Sequence, residues 1–186
     1  MPAGAVTQPT VDVDGDGRPD TEWIVRPDDG TDSYQFGVAT ASGGVFSASA
    51  TSPNGAGRSF LVADVTGHGE VIGLESDNRQ AGLYGISDCQ LVPELNPQGQ
   101  HYGFDLGGDE SDGVGCTDVD GDGVPDLAGL LIVGQTVQQT AVQLDGPHAR
   151  NGAHVTIDPA SAAQQDAARQ ITCGDRTMKD DGVLAP

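Results

Sequence analysis

The residues best placed to do chemistry lie in two nearly identical runs. One reads Asp12-Val13-Asp14-Gly15-Asp16-Gly17-Arg18-Pro19-Asp20, the other Asp118-Val119-Asp120-Gly121-Asp122-Gly123-Val124-Pro125-Asp126. Both put carboxylates at relative positions 1, 3, 5 and 9. In a curled loop, odd spacing turns those side chains toward one centre, and the intervening glycines admit the positive φ that a tight curl needs. Calcium takes roughly 6 to 8 oxygens from carboxylates, backbone carbonyls and water. Asp12, Asp14, Asp16 and Asp20 with the carbonyl of Arg18 come near that set, as do Asp118, Asp120, Asp122 and Asp126 with the carbonyl of Val124. Bare carboxylates crowded together repel one another, so a divalent cation is expected at each loop. The opening resembles an EF-hand, but that loop needs a bidentate Glu at relative position 12, where Trp23 and Gly129 stand.

A weaker copy lies between the two. Asp64-Val65-Thr66-Gly67-His68-Gly69-Glu70 aligns only if two residues are deleted before Glu70. Asp64, Thr66 and Glu70 offer fewer charges, so a third calcium site there is expected to be weak or absent. His68 is read as an exposed loop histidine rather than a transition-metal ligand, and His101, His148 and His154 fall in unrelated contexts. No catalytic or cofactor-binding residue is assigned. The chain lacks a GxSxG elbow, its Ser, His, Cys and Asp form no local signature, and its Gly-Asp-Gly turns would repel phosphate. The acid pairs Asp109-Glu110 and Asp180-Asp181 read as solvated charge.

The loops must be positioned by something that repeats. The first Asp of each copy falls at Asp12, Asp64 and Asp118, spacings of 52 and 54. A short β-type run enters each loop: Thr10-Val11, Phe60 to Val62, and Val114. A buried-strand pattern leaves it: Trp23 to Val25, Val71 to Leu74, and Leu127 to Val133. Two more strand candidates follow in every copy: Tyr34 to Thr40 then Val45 to Ala50, Gly82 to Ile86 then Leu91 to Leu95, and Thr136 to Leu144 then His154 to Ile157. Four strands per period of this length predict an all-β fold of repeated antiparallel blades, β-propeller-like, in a single repeat domain over residues 1–186. The boundaries are set at 10–61, 62–115 and 116–171, with a partial fourth start over 172–186 on the echo of Cys116 at Cys173. Asp158 and Pro159 open a short helix over 159–170.

Composition narrows the partners. Of 186 residues, 28 are acidic and 8 basic, a formal charge of -20, which disfavours nucleic acid and anionic membrane. No apolar run approaches the ~20 residues of a membrane span. Disorder is disfavoured because apolar residues fall in short runs between the acid clusters. Cys89, Cys116 and Cys173 form no CxxC pair. Their pairing is not readable from spacing alone; Cys89 with Cys116 is the expected cystine. Residues 1–10 carry no signal-peptide pattern, and calcium availability favours an exported protein whose signal is absent from this sequence.

At this point the residues carry a resemblance. DVDGDGRPD and DVDGDGVPD, each followed by an apolar strand, resemble the FG-GAP/VCBS repeat, the calcium-binding blade of integrin-α-type β-propellers and of many secreted bacterial proteins. The resemblance is sharp over 11–25 and 117–133 and implies structural calcium in a blade hairpin. It implies an extracellular module for protein or glycan binding and adhesion, with connectors 52–59, 96–103 and 107–113 as contact candidates. A spacer domain of a surface lipoprotein and a propeller-based hydrolase or lyase are the alternatives. Three repeats fall short of the usual ring of about 4 to 8 blades, so a homo-oligomer that completes a propeller is a further expectation.

Overall fold

Both Asp-rich loops join the first two strands of a four-stranded antiparallel sheet. The computed structural model describes residues 1–28, 30–51, 57–107 and 112–185. The first sheet orders β1 (Val6–Thr10), β2 (Asp20–Val25), β3 (Ser33–Ala39) and β4 (Val45–Thr51) as consecutive hairpins. The middle sheet runs β5 (Arg58–Asp64), β6 (Val71–Ser76), β7 (Gln80–Ser87) and β8 (Gln90–Pro93), with β9 (Gly103–Asp105) also paired to β7. The third repeats the first in β10 (Asp112–Thr117), β11 (Asp126–Val133), β12 (Thr136–Asp145) and β13 (His148–Ile157). None of these sheets closes on itself. The boundaries read at 61/62 and 115/116 fall inside β5 and β10, because the strand that enters each loop pairs with the strand that leaves it.

The middle sheet is buried on both faces. Phe60 and Val62 join Ile24, Phe36 and Val38 of the first sheet. Leu61 and Ala63 join Val114, Leu127 and Val142 of the third. Alternate side chains of a strand point to opposite faces, so a strand covered twice reads as the unbroken run Phe60-Leu61-Val62-Ala63. Strand β4 is covered once, and it alternates: Phe46 is buried between exposed Val45 and Ser47. Phe36 anchors the seam between the first two sheets, 4.9 Å from the Phe60 ring and 5.3 Å from Tyr84, contacts worth about 0.5–1.5 kcal/mol each beyond their burial.

The outward face of the third sheet has its own apolar cluster of Ala128, Leu130, Val137 and Ala141 under Ala160 and Ala168. Those last two residues flank α1 (Ala162–Ala167), which is shorter than the helix expected over 159–170. Ser161 is the cap rather than Asp158, because its hydroxyl accepts the Gln164 N–H while the Gln164 side chain accepts the Ser161 N–H. Beyond Ala167 the chain tightens into turns with Arg169 N–H on the Asp166 carbonyl and Gln170 N–H on the Ala167 carbonyl.

The segment read as a fourth repeat builds no further four-stranded sheet among the described residues. It forms the small hairpin of β14 (Thr172–Cys173) and β15 (Arg176–Thr177), then β16 (Val183–Ala185), which adds to the edge of β5. With the residues just before it, this segment touches the first strand of each of the three sheets. Gln170 accepts the Val114 N–H of β10 at 2.9 Å. The Arg176 guanidinium donates to the Pro9 carbonyl of β1 at 3.2 Å and to buried Glu22 of β2 at 3.4 Å. Open sheet edges attract other strands. Strand β16 covers the edge of β5 from within the chain.

The cystine is Cys116–Cys173, not Cys89–Cys116. Cys116 lies on β10, the first strand of the third sheet, where the C-terminal segment passes. Cys89 lies in the two-residue turn between β7 and β8, exposed, with Asp88 and Cys89 both at positive φ. In the chain-entropy view, closing a loop of 57 residues is worth about 4 kcal/mol.

Candidate functional site

The first Asp of each loop does the same local work. Asp12 accepts the Gly15 N–H at 2.8 Å and the Gly17 N–H at 2.7 Å, one on each oxygen. Asp64 accepts from Gly67 and Gly69 at 3.0 and 2.7 Å, and Asp118 from Gly121 and Gly123 at 2.7 and 3.0 Å. These carboxylates satisfy backbone donors that no strand partner reaches, and all six glycines sit at positive φ. The curl is therefore written by Asp-x-x-Gly-x-Gly, which all three copies keep.

The last acid separates them. Asp20, 2% exposed, accepts the Val13 N–H at 2.7 Å on one oxygen and the Ala41 N–H at 2.8 Å on the other. Asp126 accepts the Val119 N–H at 2.9 Å in the same way. In the shorter middle loop the Val65 N–H goes instead to the backbone carbonyl of Glu70 at 2.9 Å. A main-chain bond thus replaces the carboxylate that would have turned back into the loop.

Two trios of carboxylates result. Asp12, Asp14 and Asp20 each bring an oxygen within 4.8 Å of the others, as do Asp118, Asp120 and Asp126. Asp16 and Asp122 stand outside the trios. Asp16 is held by Arg18, whose Nε lies 3.0 Å from its carboxylate, and Asp122 accepts the Val124 N–H at 2.8 Å. Among the described residues nothing donates a hydrogen bond to the carbonyls of Arg18 or Val124. No third group of three His, Cys, Asp or Glu side chains comes together among the described residues, and Asp64 and Glu70 belong to neither trio. His68 is exposed. His101 lies 2.8 Å from the Leu83 carbonyl and edge-on to Tyr84, and His154 bonds Thr140.

Sequence reading missed the buttress of the first loop. Strands alternate in direction, so the turn between β3 and β4 lies at the same end of the sheet as the Asp loop. From that turn the Ser42 hydroxyl donates to Asp14 at 2.5 Å, and Ala41 donates to Asp20. The Ser42 bond, foremost, holds the Asp14 carboxyl below the ordinary carboxylate range. The parity of the hairpins was the signal that could have found it. Of the three connectors, 96–103 is tied to the third sheet, with Leu95 N–H on the Pro147 carbonyl and Ala149 N–H on the Leu95 carbonyl at its root. Residues 52–56 and 108–111 of the other two, which include Asp109 and Glu110, lie outside the described residues.

The acids that the sequence reading passed over are internal. Burial pushes Glu22 up to about 8, against the Val62 N–H at 2.6 Å and the nearby Arg176. Glu75 is also raised by burial, although it is paired with Arg58. Glu94, 3% exposed with one oxygen lacking any partner, is pushed up to about 7 by burial.

Compared with protein-family models, with curated proteins and with solved structures, this chain finds no match in any of the three.

Proposed function

We propose that the chain is a calcium-stabilised extracellular binding module, its sheets acting as blades of the FG-GAP/VCBS kind and its calcium serving structure rather than chemistry. The observation that carries this reading is the pair of carboxylate trios at equivalent hairpins. Two oxygens on one calcium, each at about 2.3–2.6 Å, are at most about 5 Å apart. The 4.8 Å limit within each trio meets that condition before any ion is present. The donors are all hard oxygens, which suit calcium or magnesium rather than zinc or copper. Water and the carbonyls of Arg18 and Val124 are the natural remaining ligands. The cystine fits an oxidising compartment.

Binding at these loops is coupled to folding, because the ion relieves repulsion that the bare loops retain. Calorimetric titration of chelator-treated protein tests the reading. Two calcium ions per chain and a calcium-dependent rise in Tm are expected. Absence of calcium uptake sinks it.

A further inference from the structure

The end of the molecule opposite the Asp loops carries a cleft of about 860 Å³ between the middle sheet, the start of β10, the end of α1 and the C-terminal segment. Ser59 of β5 and Ser76 of β6 lie on its wall, whereas the Asp64–Glu70 loop joins the far ends of the same two strands. Two unmet demands coincide there. The first is apolar. Leu106, Ile171, Met178 and Leu184 line the cleft, and Leu184, at 58%, is the most exposed large apolar side chain among the described residues. The second is electrostatic. Exposed Lys179 is the sole lysine of a chain with 28 acids, yet among the described residues its ammonium pairs with none of them.

Lys179 is also mounted firmly. Its turn is closed by Thr177 N–H on the Asp181 carboxylate at 2.8 Å and by Asp181 N–H on the Thr177 carbonyl at 2.9 Å. Met178 N–H bonds the Ile171 carbonyl at 2.9 Å, which fixes the turn against the apolar wall. Arg169 lines the same cleft and adds positive potential. Asp112 and Asp166 line it too, and they oppose a second negative charge on any occupant. No aromatic ring is among the lining residues, which removes the usual stacking platform for a sugar.

We infer that this cleft binds a small amphipathic monocarboxylate, its apolar body on Leu184 and Met178 and its carboxylate on the Lys179 ammonium. The site goes beyond the calcium reading and does not depend on it. The test is a titration of the full chain, with calcium present, by hexanoate and by uncharged 1-hexanol, followed by amide NMR shifts. Saturable shifts by hexanoate on residues 170–184 are expected, with hexanol weaker by about tenfold, as loss of one charge-assisted bond implies. Lys179→Met should abolish the preference for hexanoate while melting like the parent and taking up calcium as before. Leu184→Ser should weaken both probes. Non-saturable or dispersed shifts, equal response to the two probes, or an unchanged preference in Lys179→Met overturns the inference. None of those outcomes alters calcium uptake at the other end, so the two readings fail separately.

Discussion

The first and middle hairpin loops begin alike and end differently. Asp12 and Asp64 bind the same two glycine N–H groups, so both loops curl in the same sense. Only the longer loop has room for a carboxylate that returns: Asp20 reaches Val13, and with Asp12 and Asp14 it makes a trio. The middle loop closes through its backbone at Glu70. Curling and ligand assembly are thus separate properties. The glycines and the first Asp govern one, and loop length with the last Asp governs the other. Buried glutamates occur with or without a trio, as Glu22 in the first sheet and Glu75 in the middle one.

The sharpest way to break this comparison is to remove the last acid from each loop. Asp20→Ala orphans two backbone donors next to a buried side chain, and a loss of about 3 kcal/mol by denaturant melting is expected. Glu70→Ala, at an exposed position with no side-chain bond, should stay within about 0.5 kcal/mol. Equal losses would show that the two loops close in the same way.

Acidity distinguishes the interior of the middle sheet from the loops. The fold holds the Glu94 proton up to about pH 7, whereas an unfolded Glu releases it near pH 4.3. The folded chain therefore binds more protons between those values, and stability should fall as pH rises from about 4 to about 7. Glu94→Gln should reduce that slope to the part that Glu22, pushed up to about 8, contributes, and raise the Tm at pH 8. A parent protein whose Tm climbs over this range would contradict the assignment.

Calcium affinity comes next. Asp14→Ala and Asp120→Ala should each weaken one site by at least about tenfold, as loss of a ligand carboxylate implies, while Thr66→Ala leaves the titration unchanged. Tight binding at the middle loop would appear as a third ion per chain. The smallest effect is expected from Ser42→Ala, a slight weakening, because one solvent-exposed hydroxyl bond to Asp14 is lost. It should touch the first site and spare the second.

Much of this was legible in the residues. Alternation in β4 and the unbroken apolar run in β5 follow from faces covered once and twice, and turn residues mark nearly every hairpin. The repeat pointed to the three Asp of each trio, with Asp16 and Asp122 in excess. What escaped were matters of reach. Asp16 has the right spacing, but Arg18 two residues on captures it. Cys116 is closer in sequence to Cys89 than to Cys173, yet the C-terminal segment comes back along β10 and brings Cys173 to it. Glu94 looked like one more polar residue of the strand read over Leu91 to Leu95, and its burial depends on sheets packed together from distant parts of the chain.

The sequence by itself determined the strands, the hairpin curls and the chemistry of the loops, because these depend on side-chain alternation, glycine backbone freedom and acids within nine residues of one another. Tertiary structure alone decided which carboxylates share a centre, which cysteines meet, and what becomes of the last 15 residues after Ile171. Those outcomes rest on contacts between segments 28 to 167 positions apart, such as Ser42 with Asp14 and Arg176 with Pro9, and no local pattern encodes them.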